Sequence, residues 1–421
     1  MKLSKKKLYI FTDGFPYGKG EKTFIIPELN ELIKKYKVTI ISVANKIVFL
    51  NKNDITKLNN EIDNKVIKIK LSPFDILIYG FKALFDSNFR DEIINILKLK
   101  KYIFGRIKRT FGFYIRAKYT LAKCNYYNIF KDIDNSIYYT FWNNTTTLAL
   151  CLKKEYDKNL KIISRIHGYD LYNEREKYGL QPFKKYIDSR INLLVFACKY
   201  AKKYYIQTFL SDNKYANKKY IVRYIGTNNN YKLPHKSINH IFTIVSCSNV
   251  IELKRINLIV DVLSMIPDRF KIKWVHFGDG DIMNTIINYT KKKFYNKNNI
   301  SYKFYGFYKH DKLMKWYSEN YVDCFITLSS TEGGVPISII EAMSFGIPII
   351  ATKVGGIPEA INGNGILVEN SNKNTKILNY IKLIFNNRKN IVKKYRNNSL
   401  NIFNKHFNNE LYNYDFLNQL T

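Results

Sequence analysis

Two glutamates stand in the stretch TLSSTEGGVPISIIEAMSFGIPIIATKVGGIPE, residues 327–359. Glu332 opens a glycine turn, and Glu341 lies on the short helix that the turn introduces. A carboxylate accepts hydrogen bonds from two vicinal hydroxyls at once, which is what a ribose offers. Gly333 and Gly334 are free to take positive φ and, with Val335, to present backbone N–H groups at a helix start, a setting that suits an anionic or hydroxyl-rich ligand. Pro336 is expected at the first helical position. Polar residues recur at 338, 341 and 344, so Glu341 belongs either to an ordinary solvated helix face or to one that a ligand approaches. The face holds only two serines and one glutamate in a chain otherwise dense with lysine, which favours the approach. Lys254 and Arg255 could pair with a diphosphate, or could simply be a solvated loop. Gly278-Asp279-Gly280 reads equally as a plain turn or a ligand contact. His167, one of six histidines, precedes Gly168 at a strand end and is as readily structural as reactive.

These residues need elements to position them, and the pattern supplies two series. In the first half, apolar runs of strand type fall at 8–12, 38–43, 137–141, 161–166, 192–197 and 220–225. A helical period over 24–36 closes a β-α-β start. The turn 13–21 carries Gly14, Gly18 and Gly20 without the G-x-G-x-x-G spacing, yet lets an acceptor come close to the backbone. His167 and Asp170 lie in the loop after the fourth of these strands. The second half alternates more cleanly: strands at 241–247, 272–277, 302–305 and 322–328, helices at 256–266, 281–293 and 311–318, then the stretch above. Helices are expected at 374–386 and about 389–407. The reading is two Rossmann-like, doubly wound parallel-sheet domains in series, 1–230 and 238–390, facing across a cleft, with a helical segment 391–421 that packs back on the first. Ligands on such sheets bind beyond the carboxyl ends of the strands.

At 421 residues, two domains are the natural division. The net charge of +35, from 69 basic and 34 acidic residues, calls for an anionic partner or reflects a Lys- and Asn-rich composition. With no motif beyond charge, dedicated nucleic-acid binding is not expected. The segments 74–85 and 106–130 combine aromatic and basic residues. They read either as amphipathic helices packed on the sheet, the favoured alternative, or as a surface for anionic lipid headgroups. Five dispersed cysteines with no CxxC pair argue against a disulfide framework or a metal site. The apolar run at 8–12 is too short for a signal peptide, and no window of about 20 apolar residues would span a bilayer. A cytoplasmic protein, peripheral at the inner face of the membrane, is the expectation.

The order SSTEGGVPISIIEAMSFGIPIIATKVGGIPE resembles the C-terminal signature of the retaining glycosyltransferases of family 4, the group 1 glycosyl transferases. TDGFPYGKGEKTFI, RIHGYDLYNER, VSCSNVIELKRI and WVHFGDG extend the resemblance more faintly over most of the chain. It implies the GT-B fold and a hexosyltransferase-type reaction in which a nucleotide-diphosphate sugar donates to a hydroxyl acceptor with retention. No metal and no cofactor beyond the donor substrate are implied. Carried over, Glu332 lies near the donor sugar, Glu341 holds the ribose, and Gly333 and Gly334 offer amides. Lys254 binds the diphosphate, and His167 belongs to the reaction centre on the N-terminal side. The family's arginine five positions before that lysine is Asn249 here, leaving Arg255 as a substitute. Eight residues separate the two glutamates where the family has seven, and the segment after Glu359 is short. A lipid-linked glycan of capsule, O-antigen or exopolysaccharide assembly is the implied acceptor. A sugar-nucleotide epimerase or phosphorylase of the same fold, and a non-enzymatic basic membrane-surface or nucleic-acid binder, are the competing readings.

Overall fold

The computed structural model describes residues 5–17, 21–44, 62–210, 219–234, 241–371, 374–387 and 390–409. It divides at Arg223/Tyr224 into two compact units. Unit 1 contains a seven-stranded parallel sheet in the order β3-β2-β1-β4-β5-β6-β7. Its strands are β1 (Lys7–Thr12), β2 (Lys37–Ala44), β3 (Asp63–Lys68), β4 (Ser136–Thr140), β5 (Lys161–Ile166), β6 (Leu193–Phe196) and β7 (Lys219–Val222). Among the described residues its helices are α1 (Lys22–Lys35), α2 (Pro73–Phe85), α3 (Ser87–Leu97), α4 (Ile103–Tyr126), α5 (Thr145–Lys154), α6 (Gly168–Leu171), α7 (Lys184–Arg190) and α8 (Lys199–Phe209).

Unit 2 contains a six-stranded parallel sheet in the order β10-β9-β8-β11-β12-β13. The strands are β8 (Phe242–Cys247), β9 (Ile272–Phe277), β10 (Ile300–Phe304), β11 (Cys324–Thr327), β12 (Ile349–Thr352) and β13 (Gly365–Val368). Helices α9 (Ile256–Ser264), α10 (Met283–Lys293), α11 (His310–Glu319), α12 (Ile337–Ser344), α13 (Asn374–Asn386) and α14 (Asn390–His406) cover both faces. Central strands such as β11, buried on every residue, read as unbroken apolar runs because helices pack on both sides. The core is accordingly double: Ile244, Trp274 and Ile326 face one helical layer, and Val245, Val275 and Phe325 the other. Parallel order with crossover helices on both faces is the doubly wound architecture expected above.

Several local expectations change. β3 lies at 63–68, where no strand was foreseen, because its alternation Asp63–Lys68 is mostly exposed and lacks a buried run. The division between units falls at 223/224 rather than between the expected bounds 230 and 238. Helix α14 packs within unit 2: Arg396 donates to the carbonyls of Val322 (2.7 Å) and Phe345 (3.2 Å), and the Ser399 hydroxyl to that of Ile347 (2.9 Å). Residues 410–421 lie outside the described residues. Among those described, no helix is long and apolar enough to cross a membrane.

Each sheet reverses its winding once. In unit 1 the reversal lies between β1 and β4, in unit 2 between β8 and β11. The crevice at such a point, beyond the strands' carboxyl ends, is where open α/β sheets hold ligands. The described loop residues there are 13–17, 21 and 141–144 in unit 1, and 248–255 and 328–336 in unit 2.

Candidate active site

In unit 2 the two switch-point loops meet through an ion pair. Lys254, in a short 3-10 turn after β8, pairs its amine with Glu332 Oε1 from the loop after β11. Both side chains are partly buried, at 22% and 12% exposure. Ser330 donates its N–H to the Leu253 carbonyl (2.8 Å), which locks the loops together at the backbone. Arg255, in the left-handed region (φ 47°), caps α9. Its guanidinium donates to the carbonyls of Leu328 (2.6 Å) and Ser329 (3.3 Å). Arg255 therefore fastens the glutamate-bearing loop, and the ammonium of Lys254 is the cation set beside the carboxylate. Asn249 is exposed at the start of the same loop, and Val335 is buried in the core cluster with Ile339 and Ile340.

Glu341 is 5% exposed, which excludes the solvated-face reading. Its Oε1 lies 3.0 Å from His310 Nε2, at the N-terminus of α11. The neighbouring carboxylate raises His310 above its ordinary value, against the opposing effect of burial, so the imidazole leans toward the charged form. The sequence reading missed His310, since nothing local links position 310 to position 341. Ser344, one turn on, is also buried and donates to the Glu341 carbonyl (2.7 Å).

The glycine readings need correction. Helix α12 begins at Ile337, with Pro336 as its extended N-cap (ψ 135°) rather than its first helical residue. The left-handed backbone expected at Gly333–Gly334 is instead taken by Gly355 (φ 52°), in the second glycine turn. A Cβ on Gly355 would sit 2.0 Å from the Glu332 carbonyl oxygen, and one on Gly356 2.6 Å from the Gly334 carbonyl carbon. The second turn thus braces the first, backbone against backbone. Gly278 and Gly280 play the same part on the other side: added Cβ atoms would meet the carbonyl oxygens of Ser248 (1.8 Å) and Val250 (2.4 Å). Close packing of the turn on the Lys254 loop accounts for both glycines. Gly355→Ala should lower unit 2 stability by about 2 kcal/mol from left-handed strain and contact combined, a fall of roughly 4–8 °C in Tm. A melt within a degree of wild type would show that the turn has room to yield.

Unit 1 assembles a second constellation at its own switch point. Glu21, 7% exposed, accepts backbone N–H groups of Asp13 (3.0 Å), Gly14 (2.7 Å) and Phe15 (2.7 Å), and the Trp142 indole N–H. Asn144 donates to Asp13 Oδ1 (2.8 Å). Gly14 is thereby part of a loop folded around a carboxylate, a role that sequence reasoning gave to no residue; an acid closing a glycine-rich turn was the available signal. Gly18 and Gly20 lie outside the described residues. His167 lies against the rings of Trp142 (4.6 Å) and Phe141 (5.1 Å). Desolvation, then the Arg165 charge, lower it to about 3, so it serves as a neutral imidazole. The Asp170 carboxylate accepts the N–H groups of His167 (2.6 Å) and Asn143. Buried Lys184 donates to Asn143 O and Oδ1 at 2.6 Å each. Burial raises Asp170 and lowers Lys184, each opposed by the other's charge. Asp170 is thus a brace for the His167 loop.

Residues 228–401 match the family model described as glycosyl transferases group 1. The match spans Lys254, His310, Glu332 and Glu341. Over its length the chain superimposes on GT-B structures. The chain has the GT-B fold, and its second unit carries a group 1 glycosyltransferase domain. An uncharacterized glycosyltransferase of Methanocaldococcus jannaschii, MJ1178, is 26% identical over 330 residues, 77% of this chain and 84% of that protein. The O-antigen biosynthesis glycosyltransferase WbnH of Escherichia coli is 34% identical over 118 residues, 28% of this chain and 30% of that one. Among solved structures, the lipopolysaccharide outer core galactosyltransferase WaaB in its apo form is similar with TM-score 0.70 at 13% identity, covering 98% of this chain and 99% of that one. Anabaena Alr3699/HepE in complex with UDP is similar with TM-score 0.66 at 15% identity, covering 99% of each chain.

Proposed function

We propose that this chain is a family 4, retaining glycosyltransferase that moves a hexose from a nucleotide-diphosphate sugar to a hydroxyl of a lipid-linked glycan. The observation that carries the reading is the juxtaposition of Lys254 with Glu332 at the β8/β11 switch point, inside the region that matches the group 1 model. Departure of a nucleoside diphosphate builds negative charge on its terminal phosphate, and a preoriented cation stabilises that charge more than it does the bound donor. Lys254 is that cation, and Glu332 holds it in place until donor binds. Glu341 accepts from the ribose hydroxyls, oriented by His310. The leaving phosphate takes the acceptor proton in a front-face displacement, so no protein nucleophile and no metal are invoked. Unit 1 takes the acceptor, with His167 and Gly14 on loops that Asp170 and Glu21 brace. The O-antigen role in the name of WbnH and the outer-core role in that of WaaB favour surface-glycan assembly. The UDP and UDP-glucose bound to HepE make a UDP-sugar the first donor to try.

The test is a thermal-shift screen of the full chain against UDP-, GDP- and ADP-sugars. A donor at a hundred times its Kd adds about 2.7 kcal/mol, a rise of several degrees. A screen without any rise at saturating donor overturns the donor reading, and a free epimer released without acceptor would point to the isomerase alternative.

A further inference from the structure

Helix α2, PFDILIYGFKALF, is unusual for a surface helix. Phe74, Leu77, Phe81, Leu84 and Phe85 are 62–70% exposed. They recur at helical spacing, and the rings of Phe81 and Phe85 meet at a tilt with centroids 5.0 Å apart. The opposite side faces α4: Ala83 is buried, Tyr79 meets Tyr119 edge-on, and a Cβ on Gly80 would lie 3.0 Å from the Phe111 ring. The apolar stripe that a globular helix normally turns inward is here turned outward. More exposed apolar residues follow: Ile94 and Leu97 on α3, Tyr102 before α4, and Phe104 at 90% on α4.

Charge identifies the occupant. Residues 68–101 carry seven basic side chains against four acidic ones. Three of those acids are spent on structure: Asp75 closes the capping box of α2, Asp86 caps α3 and pairs with Lys118, and Glu92 accepts the Phe183 N–H. Lys82 is exposed on α2 itself, and Lys98, Lys100 and Lys101 are exposed in the turn between α3 and α4. Protein–protein interface cores are depleted in lysine. Exposed aromatic and leucine side chains bordered by lysine instead suit the headgroup–acyl boundary of an anionic bilayer. Helix α4, the other candidate from the sequence, buries Tyr114, Ile115 and Tyr119, so its aromatic face is core.

We infer that α2 docks this protein on an anionic lipid bilayer, with Leu77 and Phe81 entering the interface and Lys82, Lys100 and Lys101 meeting lipid phosphates. The inference stands apart from the donor chemistry, because its test reads no transfer. Flotation of the full chain with phosphatidylcholine vesicles, with and without phosphatidylglycerol, is the experiment. Expected is salt-sensitive binding to the anionic vesicles alone, weakened about tenfold or more by Leu77→Ser or Phe81→Ser with unchanged Tm, since both side chains are exposed. Lys100→Glu with Lys101→Glu keeps the apolar stripe and should weaken binding too. Absence of flotation on anionic vesicles overturns the inference, as does wild-type flotation of the Ser variants. So does a self-association in ultracentrifugation that Phe81→Ser abolishes without any lipid binding, which would make a second copy the occupant.

Discussion

Lys254→Ala is expected to lower kcat/KM roughly a hundred- to thousandfold and to weaken nucleoside diphosphate binding about tenfold or more. Nucleoside affinity should stay nearly unchanged. The asymmetry follows from what the ammonium touches. It lies against Glu332 with 22% of its surface exposed, on a loop whose backbone is tied to Ser330. A cation held that way loses little entropy when a diphosphate arrives, and it acts most strongly where charge accumulates on leaving. The rival explanation is that Lys254 merely neutralises Glu332. Under it, removing both charges in Lys254→Ala with Glu332→Gln would restore activity, because no unpaired carboxylate would remain. If Lys254 carries leaving-group charge, the double variant stays as low as Lys254→Ala alone. Recovery in the double variant would refute the assignment.

What the sequence made legible and what it did not divide along a physical line. Strands β5 and β9 match the residue ranges read from apolar runs, because burial on both faces writes itself into consecutive residues. The glycine turns and both glutamates were legible for the same local reason. Partnerships were not. His310 meets Glu341 31 positions away, and Trp142 meets Glu21 121 positions away; periodicity carries no trace of either. Arg255 shows the limit from another side. A Lys-Arg pair announces positive charge, but only the folded chain spends the guanidinium on the Leu328 and Ser329 carbonyls and leaves the lysine for the carboxylate. The glycines at 278 and 280 were read as candidate ligand contacts. Their requirement is a close approach to Ser248 and Val250, a contact between distant segments that spacing cannot encode. Helix α2 is the converse case, since its period is plain but which side its neighbours cover is not.

Glu341→Ala is expected to weaken nucleotide binding about a hundredfold or more, as two hydrogen bonds to a charged acceptor are each worth roughly 1.5–3 kcal/mol. The carboxylate is 5% exposed, with Oε1 committed to His310. Oε2 carries no hydrogen bond among the described residues, and its two lone pairs suit the two ribose hydroxyls. Calorimetry with ribo- and dideoxynucleotides isolates the contact: wild type should prefer the ribonucleotide strongly, and Glu341→Ala should bind both equally. If the variant keeps the preference, the hydroxyls are held elsewhere. His310 adds a pH signature. Its value is raised in the folded protein, chiefly by Glu341 and also by Asp311, 3.6 Å from Nδ1. The group therefore stabilises the fold fully below its unfolded value of about 6.5 and loses that contribution as pH rises through the raised folded value. The Tm gap between wild type and His310→Gln should be widest in mildly acidic buffer and narrow toward alkaline pH. A gap that widened with pH would mean that the imidazole is held neutral, and that Glu341 keeps its place without a cation.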